Sequence, residues 1–280
     1  FGPDVNAYTS FDETVYMLTV PTDSMEVVTT AFQILQDWAQ GVSFEAEEID
    51  KERGVVIEEW RLGRGADQRM FDEQLPVILH ASRYADRLPI GTVANLESFG
   101  HDTLRAFYQR WYRPDLMSVI AVGDLEPDVV DSLVRAHFAD LRAPAESADR
   151  TYYPVPDHAE TLFAIATDPE ATGNSVSIYY KQDVRPDSTV DAYRRSMMES
   201  LYHGMFNRRL FELTRTANPA FLAAGSGQGR WLRTKEFYSL GARVQNNGFA
   251  RGLEALLTEA TRVRRHGFTG TELARQKKQI

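Results

Sequence analysis

Cysteine is absent from the 280 residues. Its absence excludes thiol nucleophiles, disulfides and cysteine-type zinc sites. It is compatible with an oxidising envelope compartment without requiring one. Closely spaced histidines are missing as well. His80, His101, His137, His158, His203 and His266 each stand more than four residues from the next. Neither H-E-x-x-H nor H-x-x-E-H is therefore spelled by this chain. No apolar run approaches the length of a membrane span. Lysine is scarce, with five copies among 31 basic side chains, and acidic residues outnumber basic ones to give a net charge of -9. That balance disfavours nucleic acid as a partner, because such binding rests on neutralising phosphates.

What is present fits a globular protein long enough for two domains, with 43% apolar and 25% charged residues. Alternation in "ETVYMLTV" (13–20) predicts a strand. Thr22 is placed to cap a helix through "DSMEVVTTAFQILQDWAQ", closed by Gly41. A long helix follows through "EAEEIDKERGVVIEEWRLG", then one over "DQRMFDEQLPVILHAS" with Pro76 as a bend. "DTLRAFYQRWY" reads as a short amphipathic helix, with Phe107, Trp111 and Tyr112 as core residues. "MSVIAVG" (117–123) reads as a buried strand and "DVVDSLVRAHFADL" as a helix.

The stretch 142–160 holds three prolines and many small polar residues and reads as a linker. Beyond it, strands are expected at "TLFAIAT", "SVSIYYKQ", "AFLAAGSG" and "EFYSLGARV". Helices are expected over 190–214, near 252–265 and from Thr271 onward. The Gly-rich "AAGSGQGR" lacks the spacing of a phosphate loop or a nucleophile elbow, and reads as a strand with close backbone approach.

The two halves end on one pattern. Strand, helix, Gly41, Phe44 and "EAEEIDKERG" parallel strand, helix, Gly267, Phe268 and "GTELARQKKQI". Matching Tyr16 to Tyr238 as well gives a common lag of roughly 224 residues, far longer than a solenoid unit. An ancient domain duplication is the expected origin, with domains at 1–148 and 149–280. The first copy starts part-way through the pattern, so the chain is expected to be an internal fragment.

In "EIDKERGVVIEEWR", Glu52 and Glu59 are seven apart, about 20° short of two helical turns. They stack on one side, bordering a stripe of Ile49, Val56 and Trp60. A carboxylate beside a core is costly unless a metal or an arginine pairs with it. Spacing alone leaves both partners open, and leaves solvation as the ordinary fate of Glu48 and Glu58.

Taken in order, "NAYTSFDETVY", "ERGVVIEEW", "YADRLPIGTVANLESF", "LRAFYQRWYRPDLMSVIAVGDLEPDVVDSLV" and "MFNRRLFELTR" resemble the pitrilysin/insulinase family of zinc metallopeptidases, the inverted zincins. The resemblance implies an α+β fold like that of mitochondrial processing peptidase. Two homologous domains would each have a mostly antiparallel sheet with helices packed on one face. It implies Zn²⁺ as cofactor, bound by two histidines and a downstream glutamate. The family's spacing places the missing H-x-x-E-H segment, with its general-base Glu, before Phe1.

By this resemblance Glu59 is the metal ligand and Glu52 a carboxylate that orients the ligand set, with Glu58 the alternative one residue away. Asn6, Ala7, Tyr8 and Thr9 match the strand edge that binds peptide substrate. The second half resembles a non-catalytic copy, with Gln276 opposite Glu52. The implied function is zinc-dependent hydrolysis of peptide bonds in extended or unfolded polypeptides by the full-length protein. This fragment alone is expected to be inactive. The implied partners are a peptide substrate and the remaining domains of the same polypeptide, in the periplasm or cell envelope. A non-catalytic peptide-binding subunit of the same family is the alternative.

Overall fold

The structure, a computed structural model, describes residues 5–143 and 149–280. The expected boundary at 148/149 and part of the expected linker lie outside the described residues or beside them. In chain order the elements are β1 (Val5–Thr9), β2 (Thr14–Leu18), α1 (Met25–Gln40), α2 (Ala46–Leu62), α3 (Ala66–Ile78), α4 (Val93–Ser98), α5 (His101–Trp111), α6 (Pro127–Phe138), β3 (Asn174–Asp183), α7 (Val190–Leu213), β4 (Ala223–Leu232), β5 (Lys235–Val244), α8 (Phe249–His266) and α9 (Gly270–Gln276). The class is α+β, and every strand pair is antiparallel.

The chain divides into two compact units, Phe1–Arg64 with Arg87–Thr151, and Gly65–Asp86 with Tyr152–Ile280. The first unit opens on the β1–β2 hairpin, in which Asn6 faces Met17 and Ala7 faces Tyr16. α1 starts at Ser24, whose hydroxyl accepts from the Val27 amide. Thr22 therefore does not cap it, because residues 22 and 23 form a bend before the helix. Val28, Ala31 and Phe32 are the buried stripe of α1, the i, i+3, i+4 spacing of one helical face. α6 closes over it, with the His137 ring stacked on Phe32 and Nδ1 2.8 Å from Gln36 Oε1. Phe107, expected in the core, is exposed on α5.

In the second unit the sheet order is β3–β5–β4. Leu240, Ala242 and Val244 alternate along β5 and so share one face. Phe206 and Leu210 from α7 and Leu256 and Val263 from α8 join them in one buried cluster with Phe221. Full burial of Phe206 or Leu256 is worth about 2 kcal/mol each. α3, which the sequence places in the first domain, belongs to this unit. Arg69 on α3 makes two 2.7 Å bonds to the Asp168 carboxylate, and Phe71 meets the Trp231 ring.

Two expected strands are corrected. Residues 117–123 and 161–167 carry no ladder pairing, and a strand exists only with a partner. In each, large apolar side chains stand in solvent: Ile120 and Val122 are 83% and 95% exposed, Phe163 and Ile165 81% and 90%. The 161–167 segment still alternates between half-buried and exposed residues, as an extended chain does.

Candidate metal-binding helix and peptide-binding edge

α2 presents six acidic side chains in 17 residues. Glu47 and Glu48 hold Lys51 at 3.1 and 2.8 Å, and Glu58 holds Arg61 at 2.5 Å. Asp50 accepts from Arg53 and lies 2.8 Å from His101 Nε2. Glu52 and Glu59 are the two left, and neither carboxylate has a hydrogen bond or ion pair among the described residues. Both side chains are exposed rather than tucked against the apolar stripe, where Ile49, Val56 and Trp60 are half-buried. What separates them from Glu48 and Glu58 is thus partnership, not burial.

No residue of α2 is fully buried, and no side chain caps its N-terminus. Polar anchors hold it instead. Arg53 donates to the carbonyl oxygens of Leu96 and Phe99 at the end of α4 and lies over the Phe99 ring, 4.0 Å from its centroid. Composition and spacing gave no sign of this anchor; the Asp50–Arg53 pair at i, i+3 was its one local trace.

Asn6, Ala7, Tyr8 and Thr9 lie together on β1, all exposed. β1 pairs only with β2, so its other backbone edge carries no strand among the described residues. Asn6 Oδ1 accepts from the Ala7 amide at 2.8 Å. Tyr16, opposite Ala7, pairs its hydroxyl with that of Tyr112 at 2.5 Å, and burial with this neighbour pushes the Tyr16 phenol well above its usual range. It stays protonated and serves as a fixed support for the hairpin.

The second unit builds a comparable corner. The Tyr238 hydroxyl on β5 pairs with that of Tyr202 on α7, as Tyr16 on β2 pairs with Tyr112 just past the end of α5. Phe268 meets Tyr202 edge-on with Arg209 above its ring, as Phe44 meets Tyr108 edge-on with Arg105 above it. Gln276, the residue expected to match Glu52, packs on Gly204 of α7. Next to it, His203 Nδ1 lies 2.8 Å from Ser226 Oγ, and burial pushes the imidazole below its usual range. Asn207 accepts from the Ser226 amide at 2.7 Å and donates to its carbonyl at 3.0 Å. This set offers one imidazole and neutral amides. Among the described residues no group of three or more His, Asp or Glu could hold a metal. No described helix is long and apolar enough to cross a membrane.

Two family profiles match the chain, and their boundary falls within the first unit. The profile described as "Peptidase M16 inactive domain" matches residues 98–280, and that described as "Insulinase (Peptidase family M16)" matches 1–88. The "Zinc protease PQQL-like" protein of Arabidopsis thaliana is 41% identical over 80% of this chain and 23% of its own length. The "Probable zinc protease PqqL" of Escherichia coli is 31% identical over 98% of this chain and 29% of its own. The crystal structure of the first half of that periplasmic protease superposes on all of this chain and 60% of its own, with a TM-score of 0.85 at 29% identity. The chain thus matches 23% and 29% of the length of these curated relatives, whose names make zinc the metal of the family. Its sequence and fold together show that the chain belongs to the insulinase (M16) family of peptidases.

Proposed function

We propose that the full-length protein containing this chain is a zinc-dependent metalloendopeptidase acting on extended or unfolded polypeptides, in the periplasm or cell envelope. The observation that carries this reading is the pair of unpartnered carboxylates, Glu52 and Glu59, about two turns apart on α2. A carboxylate oxygen is a suitable zinc donor. Glu59 is the ligand this chain supplies, and Glu52 orients the ligand set. Glu58 is less suited, since Arg61 already holds it. One carboxylate does not retain Zn²⁺ against water, so the remaining ligands and the general base come from outside these 280 residues. Bound zinc in such a site polarises a carbonyl and brings the pKa of its water to about 7.

The chain's own part is to present substrate. The free edge of β1 offers backbone donors and acceptors to an extended peptide, which favours any unfolded segment over a particular sequence. Asn6 uses its carbonyl oxygen on Ala7, leaving its NH₂ to donate to a peptide carbonyl. The second unit is a non-catalytic copy, with neutral Gln276 at the position of Glu52.

The test is cleavage of an unstructured peptide by the full-length protein. Activity should be abolished by a chelator and restored by zinc, and Glu59→Gln should lower it at least about a hundredfold. A protein without chelator-sensitive cleavage is instead a non-catalytic peptide-binding subunit.

A further inference from the structure

The angular setting of α2 decides where Glu59 points, and little apolar packing fixes it. Within these 280 residues the helix buries no residue completely, and Ile49, Val56 and Trp60 are only half-buried, so the dispersion contacts this chain supplies hold its rotation weakly. Among the basic side chains of α2, Arg53 stands apart. Lys51 and Arg61 are solvated, each paired with acids on the same helix. Arg53 is only 15% exposed. Its guanidinium bonds two carbonyls of a different element, Leu96 O and, at 2.9 Å, Phe99 O. These sit at the C-terminal end of α4, where unsatisfied carbonyls favour a cation. The planar fork fixes direction as well as distance, which a lysine ammonium would not. The Phe99 face closes over it, and Asp50 joins the cluster to His101 at the start of α5.

A carboxylate stands about 6 Å from its helix axis. A helical rotation of about 20° therefore moves it by about 2 Å, ten times the tolerance of about 0.2 Å in a zinc–oxygen bond.

Resting on the reading of Glu59 as a zinc ligand, we propose that Arg53 is a positioning residue for the metal site: its two-carbonyl grip on α4 sets the rotation of α2 and so the aim of Glu59. Arg53 touches neither metal nor substrate; it acts through the helix.

The experiment uses the full-length protein and three variants, Arg53→Ala, Arg53→Lys and Glu59→Gln. Zinc affinity is measured by competition with a chromogenic chelator, amide hydrogen exchange over 49–60 in chelated protein, and the melting midpoint of the same metal-free samples. Arg53→Ala should weaken zinc about 10- to 100-fold, the range for groups that orient ligands. It should also lower the melting midpoint, and speed exchange over 49–60 beyond what that loss of global stability accounts for. Arg53→Lys, retaining the charge but not the fork, should recover part of the affinity. Wild-type affinity in Arg53→Ala alongside lost affinity in Glu59→Gln overturns the positioning role and leaves the ligand intact. Unchanged affinity in Glu59→Gln instead overturns the ligand reading. If Arg53→Ala fails to fold, zinc affinity equal to wild type in a folded Arg53→Lys overturns the role assigned to the fork.

Discussion

Gln276 on α9 lies so close to Gly204 on α7 that a β-carbon at Gly204 would stand 2.3 Å from its side-chain amide. The contact brings α9 directly onto the helix preceding the β4–β5 hairpin. A Gly204→Ala change sets a helix-propensity gain of about 1 kcal/mol against displacement of a flexible side-chain end. Stability should change by less than about 1 kcal/mol, because Gln276 can swing away.

Gly252 on α8 provides the contrast. A β-carbon there would meet Val244 Cγ1 at 2.5 Å, and Val244 is buried and β-branched. Its stiff χ1 gives no escape. Gly252→Ala should lose about 2 kcal/mol despite the same propensity gain. Urea unfolding of the two variants decides the matter; equal losses would contradict this account of the packing.

Asn207 occupies the outer edge of β4 as a strand would, taking both backbone groups of Ser226. Asn207→Ala leaves them unsatisfied in a partly buried place, at a cost of about 2 kcal/mol. Asn207→Asp keeps the acceptor for the Ser226 amide and should cost less. The same urea titration measures both, and the order of the two losses is the prediction.

Arg209 ties α7 to α9 by donating two hydrogen bonds to the Glu272 carboxylate, and to α8 by donating to Glu259. The guanidinium holds Glu272 down to about 2, helped by the Thr269 cap. A carboxylate whose folded pKa is depressed stabilises the fold above its unfolded pKa and loses that contribution as pH falls through the folded value. Stability from this pair should therefore be constant above about pH 5 and decline between about pH 4.5 and 2. Glu272→Gln should remove that part of the acid dependence and lower neutral-pH stability by about 2 kcal/mol. An unchanged acid profile in the variant would contradict the assignment.

Local chemistry made much of this fold legible. The stripe of Val28, Ala31 and Phe32 and the stop at Gly41 specify α1 almost residue by residue. Residues 117–123 and 161–167 have strand-like sequence but form no strand, because such patterns report backbone propensity whereas a strand also needs a neighbour. Glu52 and Glu59 could be singled out from spacing, yet their distinction from Glu58 rests on which acids find a basic partner. Arg53 was invisible because its partners are carbonyls more than forty residues away. Backbone acceptors leave no trace in sequence.

The most direct test is the zinc content of the full-length protein in parallel with Glu58→Gln and Glu59→Gln, each folded and dialysed alike. Wild type and Glu58→Gln should retain about one tightly held zinc per catalytic site, and Glu59→Gln should lose it. Full zinc retention by Glu59→Gln at wild-type affinity would contradict the assignment of this carboxylate to the metal.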